Sequence, residues 1–371
     1  MKKLMSLIVI LSLIGCVPFS ANAEKVSCSA GAYVLYCADN DELLLSRDPD
    51  LRLPMASTTK IMTALITVEI ADKENRVVEF TDEMTAEGSS MYLKVGEQVR
   101  FYDLAVGMMM QSGNDAANAA AIAIAGSTER FADRMNRKAA EIGMENTHFV
   151  TPSGLDDEAH YSTARDMAKL MAYALKNDSF RKLTAQKSVT VNFVKPAEKQ
   201  VTYPNHNRLL SLYDGCIGGK TGYTMTAGRC LVTAAKRDGM TLIAVTLDDR
   251  DDWDDHAALY DYGFSNYAAL RTDRENYRAA VVGGTEDEVA VLTAQNKAII
   301  VPADSLDRVE STVQLPPFLY APVTGNSAVG EIVYTLDGKE IGKLPLIAVD
   351  DIAYFSRKRG FFEYIADVLN L

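Results

Sequence analysis

The sequence predicts an α/β or α+β core followed by a small all-β domain, and three observations carry that expectation. Apolar strand patterns occupy residues 31–48 and 222–247, while the stretch from about 103 to 176 has a helical pattern rich in Ala and Met. A sheet whose first and last strands meet, with the helices between them packed against it, satisfies both. From 272 to about 352 the chain changes to short alternating runs with turn signals, the pattern of a separate β unit. A length of 371 residues has room for two such domains.

At the N-terminus, Lys2 and Lys3 precede an apolar run, Leu4 to Gly15, and the small-residue site Ala21-Asn22-Ala23 follows. Residues 1–23 therefore read as a secretory leader cut before Glu24. Leu13-Ile14-Gly15-Cys16 also resembles a bacterial lipoprotein cleavage box, which would leave Cys16 lipidated. Neither this run nor any later one reaches the ~20 apolar residues that span a bilayer. The expectation is an exported protein, extracytoplasmic and soluble or attached to the outer face of the cytoplasmic membrane.

"GAYVLYCADNDELLLSRD" (31–48) reads as a hairpin around an Asp/Asn turn. Pro54 and Ser57 open a helix in which Ile61, Met62, Leu65, Ile66 and Ile70 are apolar on most sides, so it should be buried. "GRCLVTAAKRDGMTLIAVTL" places two β-rich runs around Asp238-Gly239 and closes a catalytic domain of residues 24–270. In the β domain, 271–356, "EIVYTLDGKEIGKL" turns at Asp337-Gly338 with Ile332, Tyr334 and Leu336 on one face. The tail, 357–371, is amphipathic when drawn as a helix, with Phe361, Phe362, Ile365, Val368 and Leu369 on one side. At about 22 Å it could rest in a membrane interface but not cross a core of about 30 Å. The other use for the stripe is packing on the protein's own β domain.

The formal charge is −12, and loss of the leader removes Lys2 and Lys3 and no acid, giving −14. Without a basic stripe, nucleic acid is not an expected partner. Cys28, Cys37, Cys216 and Cys230 outlast a cut after Ala23 and allow three pairings. On one extended strand Cys28 and Cys37 would lie about 30 Å apart, beyond disulfide reach, so buried thiols fit better than a disulfide framework. His148, His160, His206 and His256 are scattered without ligand spacing, and neither a metal nor another cofactor is expected.

The chemistry centres on "MASTTKIM" (55–62), where Ser57 and Lys60 form an S-x-x-K pattern. That pattern arises about once or twice by accident in a chain of this length. A second copy, Ser179 to Lys182, is present. Only Ser57 precedes Ser112-Gly113-Asn114 in "QSGND" and Lys220-Thr221-Gly222 in "GGKTGYT". S-x-x-K, S-x-N and K-T-G in that order are the established signature of penicillin-binding proteins and class A β-lactamases. Taken singly, Ser57 would be a helix start, Ser112 and Asn114 a loop capping a helix, and Lys220-Thr221-Gly222 a surface strand.

The trio also makes chemical sense. A serine hydroxyl needs a base, and Lys60 lies one helical turn beyond Ser57 on the same side. Burial beside a second cation, Lys220, would depress its pKa and free its lone pair. The helix N-terminus favours a developing oxyanion. Ser112 can relay a proton to the leaving amine, Asn114 can hold the substrate amide, and a strand edge at Lys220-Thr221 can pair with an extended peptide.

From about residue 30 to 355 the sequence resembles the low-molecular-mass penicillin-binding proteins that act as serine D-alanyl-D-alanine carboxypeptidases. "LPMASTTKIMTAL", "EGSSMYLKVGE", "SGNDAANAAA", "TPSGLDDEAHYSTARDMAKL", "NHNRLL", "GGKTGYTMTAGRCLV" and "APVTGNSAVGEIVYTLDGKEIGKLPL" carry the likeness. It implies a serine β-lactamase/penicillin-binding transpeptidase-like domain, an antiparallel sheet with a helical subdomain, followed by the β domain. It further implies removal of the terminal D-Ala from peptidoglycan stem pentapeptides through an acyl-enzyme, and covalent inhibition by β-lactam antibiotics. By the same likeness Ser57 is the acylated nucleophile, Lys60 its base, and Ser112, Asn114, Lys220 and Thr221 the substrate groove. The backbone N–H groups of Ser57 and Tyr223 form the oxyanion hole beside Gly222, and Arg250 binds the terminal carboxylate. Alone, Arg250 would read as a solvated side chain among Asp248, Asp249, Asp251 and Asp252.

Tyr223 stands where some members have histidine. The short intervals between the motifs leave no room for the extra domains of related endopeptidases. A β-lactamase would share the trio but needs a water-positioning glutamate, and Asp156-Asp157-Glu158 does not sit in an E-x-x-L-N context. A catalytically idle wall-binding or antibiotic-sensing protein would not need Ser57, Lys60 and Lys220 together.

Overall fold

The computed structural model describes residues 26–270, 276–294 and 298–355. The expected leader, the Cys16 site and the amphipathic tail 357–371 lie outside the described residues. Strands β1 (Ala32–Cys37) and β2 (Glu42–Arg47) form the first hairpin. A 3-10 turn, Ala56–Thr59, leads into α1 (Lys60–Ala71), so the expected helix begins in the tighter form around Ser57. Strand β3 (Val77–Glu79) pairs with β4 (Gln98–Arg100). Helices α2 (Phe101–Gln111), α3 (Asn114–Ala125), α4 (Thr128–Ile142), α5 (Ala164–Ala174) and α6 (Asp178–Thr184) follow. The helical pattern expected from 103 to 176 is interrupted between α4 and α5, where Thr151-Pro152-Ser153-Gly154 breaks it and forms a turn over α1.

A small hairpin, β5 (Ser188–Asn192) with β6 (Gln200–Pro204), and the short α7 (Leu209–Leu212) precede three long strands. These are β7 (Cys216–Thr224), β8 (Gly228–Arg237) and β9 (Met240–Asp249), followed by α8 (Asp252–Asn266). The sheet runs β2-β1-β9-β8-β7 and every pairing is antiparallel, so the first strand meets the last.

All six residues of β1 are buried, because the sheet is covered on both faces. Ala32, Val34 and Tyr36 join Ile61, Leu65 and the α2–α5 helices in one core. Tyr33, Leu35 and Cys37 join Leu259 and Tyr260 of α8 in the other. Covering both faces turns a central strand into a continuous apolar run rather than an alternating one. Helix α1 is enclosed likewise, with Lys60 to Val68 all buried. Gly263 lets α8 approach the sheet, since a Cβ there would lie 2.5 Å from Leu242 Cδ1. Cys28 lies ahead of β1, not on the same strand as Cys37, and Cys28, Cys37, Cys216 and Cys230 are all free.

Strand β10 (Tyr267–Leu270) leaves α8, and β11 (Asn276–Val282), β12 (Glu288–Thr293) and β13 (Ile299–Pro302) follow. The remaining strands are β14 (Val309–Gln314), β15 (Leu319–Tyr320), β16 (Ala328–Leu336) and β17 (Lys339–Ala348). Six of them form a sheet in the order β14-β16-β17-β12-β11-β15, while β10 pairs with β13. The β16–β17 hairpin turns at Asp337-Gly338, both left-handed at φ 50 and 75°. Ile332 and Leu336 are buried, whereas Tyr334 is half-exposed and Val333 is buried, and the strand pairing shifts register between Tyr334 and Thr335. No helix among the described residues is long and apolar enough to cross a membrane.

Candidate active site

The three motifs, widely spaced in the chain, meet at one end of α1. Ser57 sits in the 3-10 turn behind Ala56, whose φ of 46° is left-handed. Lys60, one turn on, is fully buried and places Nζ 2.9 Å from Ser57 Oγ. Its other neighbours are Asn114 Oδ1 and the Ser153 carbonyl, each at 2.6 Å. The Asn114 amide is oriented by its Nδ2, which donates to the Glu87 carbonyl at 2.6 Å. Burial holds the Lys60 amine well below the usual lysine range, the charge of Lys220 adds to this, and Asp115 opposes it.

A neutral amine has two N–H donors and one lone pair. The Asn114 and Ser153 oxygens can only accept, so they take the two N–H groups. The lone pair is left to the Ser57 hydroxyl, the one neighbour able to donate. With the amine neutral, this arrangement is able to take the serine proton.

Ser112 ends α2 in the left-handed region, at φ 58°, and α3 starts at Asn114. A non-glycine held there is strained backbone of the kind that functional sites retain. Its Oγ accepts from Lys220 Nζ at 3.1 Å, and Nζ also donates to the Thr221 carbonyl at 2.7 Å. Burial lowers the Lys220 pKa to about 7. Asp115 holds the facing loop by accepting from Ser90 Oγ and from the Met91 and Leu93 N–H groups.

Strand β7 forms one edge of the sheet, with Lys220 buried, Thr221 half-buried and Tyr223 exposed. Gly222 lets it pass close to the serine, since a Cβ there would stand 3.0 Å from Ser57 N and 3.1 Å from Met55 O. Ser57, Ser112, Thr221, Gly222 and Tyr223 line a cleft of about 350 Å³.

Ser89, His206, Arg229, Asp252 and Trp253 complete this lining and were not singled out from sequence. Ser89, His206 and Arg229 fall inside stretches that carry the family likeness, whereas Trp253 gave no periodic or spacing signal. Arg229 donates to Asp252 and lies against the Trp253 ring, 6.0 Å from its centroid. The structure does not bring Arg250 to Ser57. It lies exposed just after β9, its backbone N–H reaching Ser29 Oγ at 3.3 Å, and it lines the adjoining cleft with Arg208 and Leu212.

Comparison with known proteins agrees with this geometry. The sequence model described as D-alanyl-D-alanine carboxypeptidase matches residues 19–251. The one described as penicillin-binding protein 5, C-terminal domain, matches 264–354. The D-alanyl-D-alanine carboxypeptidase DacF of Bacillus subtilis is 31% identical over 356 residues, 92% of this chain and 90% of that protein. DacC of Escherichia coli is 34% identical over 367 residues, 93% of this chain and 88% of that one. Among solved structures, penicillin-binding protein 5 from Haemophilus influenzae superposes with a TM-score of 0.72 at 29% identity, covering 88% of this chain and 98% of that one.

Proposed function

This chain belongs to the serine D-alanyl-D-alanine carboxypeptidases of the penicillin-binding protein class, and from that premise we propose that Ser57 is its nucleophile and Lys60 the base. The protein is a hydrolase that removes the terminal D-Ala from peptidoglycan stem peptides. One observation supports the assignment above the rest: Lys60 is buried, with two carbonyl oxygens to take its two N–H groups and Ser57 at its lone pair.

In this reading the Ser57 hydroxyl gives its proton to Lys60 as Oγ attacks the carbonyl of the D-Ala–D-Ala bond. The oxyanion forms against the N–H groups of Ser57 and Tyr223. Ser112, poised by Lys220, relays that proton from Lys60 to the departing amine, so that both residues end the step as they began it; D-Ala leaves, and the acyl group stays on Ser57. Water attacks the ester, giving a proton to the again neutral Lys60, which returns it to the departing Ser57 Oγ, and the serine is regenerated. The extended substrate pairs with the β7 edge through Thr221, and Asn114 holds its amide. A β-lactam acylates Ser57 by the same route, but its leaving amine stays tethered in the cleft.

Arg229, not Arg250, is the cation lining the Ser57 cleft, and we assign it the substrate's terminal carboxylate. Asp252, 4% exposed in its side chain, holds it in place. Labelling with fluorescent penicillin, followed by D-Ala release from a pentapeptide, tests the reading. A long-lived adduct with release supports it, rapid turnover of the adduct would indicate a β-lactamase, and no adduct an idle protein.

Residues 24–270 form the catalytic domain, 271–356 the β domain and 357–371 a membrane-resting tail in this reading. Export by the 1–23 leader places the enzyme outside the cytoplasmic membrane, where its substrate lies. The supporting features are the leader pattern and the amphipathic stripe of the tail.

A further inference from the structure

His160 is buried, 3% exposed, behind the base rather than in the cleft. Its Nδ1 accepts from the backbone N–H of Val150 at 2.9 Å and of Thr151 at 3.3 Å. In the neutral ring the proton is then on Nε2, which donates to Thr59 Oγ1 at 2.8 Å. Burial pushes its pKa down to about 4, so the ring stays neutral at working pH.

One face of the histidine thus holds the start of the Thr151-Pro152-Ser153-Gly154 turn, and the other holds the residue next to Lys60. The turn lays two successive carbonyls on α1. Pro152 O accepts from Thr63 Oγ1 at 2.6 Å, and Ser153 O accepts from Lys60 Nζ at 2.6 Å. Gly154, at φ 81°, presses so closely on the serine turn that a Cβ there would overlap the Ala56 carbonyl.

We propose that His160 is a positioning residue for the acylation step. It fixes the Ser153 carbonyl against Lys60, and so aims the amine's lone pair at Ser57. The proposal rests on Lys60 being the base. A displacement of about 1 Å at such a contact costs on the order of a hundredfold in rate.

The test is stopped-flow acylation of the full chain by fluorescent penicillin, with the end-point label per protein and the melting temperature measured on the same samples. His160→Ala should slow the acylation rate constant about tenfold or more while the pre-covalent dissociation constant and the end-point stoichiometry hold. A purely structural role would lower the melting temperature and the labelled fraction but leave the rate constant of the folded molecules unchanged. His160→Asn keeps an acceptor at the Nδ1 position and should restore most of the rate. His160→Gln keeps only the donor toward Thr59 and should restore less. Wild-type acylation by His160→Ala, or rescue by glutamine but not asparagine, overturns the proposal. Should the His160 variants not fold, Thr151→Val loosens the same turn where Thr151 Oγ1 accepts from Gly154 N–H at 3.1 Å, and unchanged acylation there also overturns it. Lys60→Ala in the same assay separates the two readings. If it acylates normally the base assignment fails, whereas if it is inert while His160→Ala and Thr151→Val are normal, only the positioning role fails.

Discussion

Lys60 Nζ lies 2.9 Å from Ser57 Oγ and 2.6 Å from each of two carbonyl oxygens, those of the Asn114 amide and Ser153. The base role needs a neutral amine, and burial pushes the Lys60 pKa in that direction. Lys60→Arg keeps the charge but replaces the amine with a guanidinium that does not deprotonate at working pH. Acylation by penicillin should then fall by a factor of about 10² to 10⁴, the usual worth of a positioned base. Stopped-flow labelling within a few-fold of wild type would rule the role out.

The two S-x-x-K copies should separate cleanly. Ser179 Oγ donates to Asp72 Oδ1 at 2.6 Å near the start of α6. Ser57→Ala should abolish both penicillin labelling and D-Ala release, while Ser179→Ala leaves both near wild type. An active Ser57 variant beside a dead Ser179 variant would reverse the assignment.

Arg229 and Arg250 make a similar pair. If Arg229 binds the terminal carboxylate, Arg229→Lys should lower kcat/KM for an acyl-D-Ala-D-Ala peptide roughly tenfold or more, the worth of a charge-assisted hydrogen bond. It should also erode the preference for that peptide over its C-terminal amide. Lysine keeps a cation beside the buried Asp252, so the fold is spared. Arg250→Ala should change neither quantity, and an effect confined to Arg250 would restore the sequence-based assignment.

What was legible in the sequence divides along a physical line. Ser57, Lys60, Ser112, Asn114, Lys220 and Thr221 were found because their chemistry fixes both residue type and local spacing. The central strands and α1 were readable because burial on all sides leaves continuous apolar runs. Arg229 was not singled out because its place in the cleft arises from register: β8 pairs with β7 so that Arg229 faces Tyr223 across the hairpin, and the folded sheet brings it to the lining. Arg250 was named through the family likeness alone, and the chain after β9, with Asp248 left-handed at φ 51°, carries it to the adjoining cleft. The break between α4 and α5 was not read from the sequence, although Pro152 and Gly154 lie in it, and neither was the approach of the Ser153 carbonyl to Lys60.

The tail can be tested without reference to the active site. Deletion of 357–371 should release the mature enzyme from membranes while penicillin labelling stays intact, because the catalytic elements end well before it. Fractionation that leaves the truncated protein on membranes would point to lipidation at Cys16. Loss of folding would point to packing of the stripe on the β domain.

The last expectation concerns acid stability. His256 is fully buried between two hydroxyls, with Nδ1 2.7 Å from Thr233 Oγ1 and Nε2 3.2 Å from Thr246 Oγ1. Burial lowers its pKa to about 3, against an ordinary value of 6.5. Between those two values the unfolded chain binds a proton that the folded chain refuses, so each fall in pH favours unfolding. The His256 contribution is therefore complete above about pH 6.5 and is lost progressively as pH falls toward 3, at up to about 1.4 kcal/mol per pH unit within that window. His160, lowered to about 4 by burial, acts with the same sign over a shorter range. Carboxylates also titrate near the lower end, so the isolating comparison is His256→Asn, which removes the titration and keeps a polar side chain between the threonines. Melting temperatures from pH 7 to pH 4 should fall less steeply for the variant than for wild type, even if the variant starts lower. Parallel curves would show that His256 takes up its proton without unfolding, and would count against its enclosure between Thr233 and Thr246.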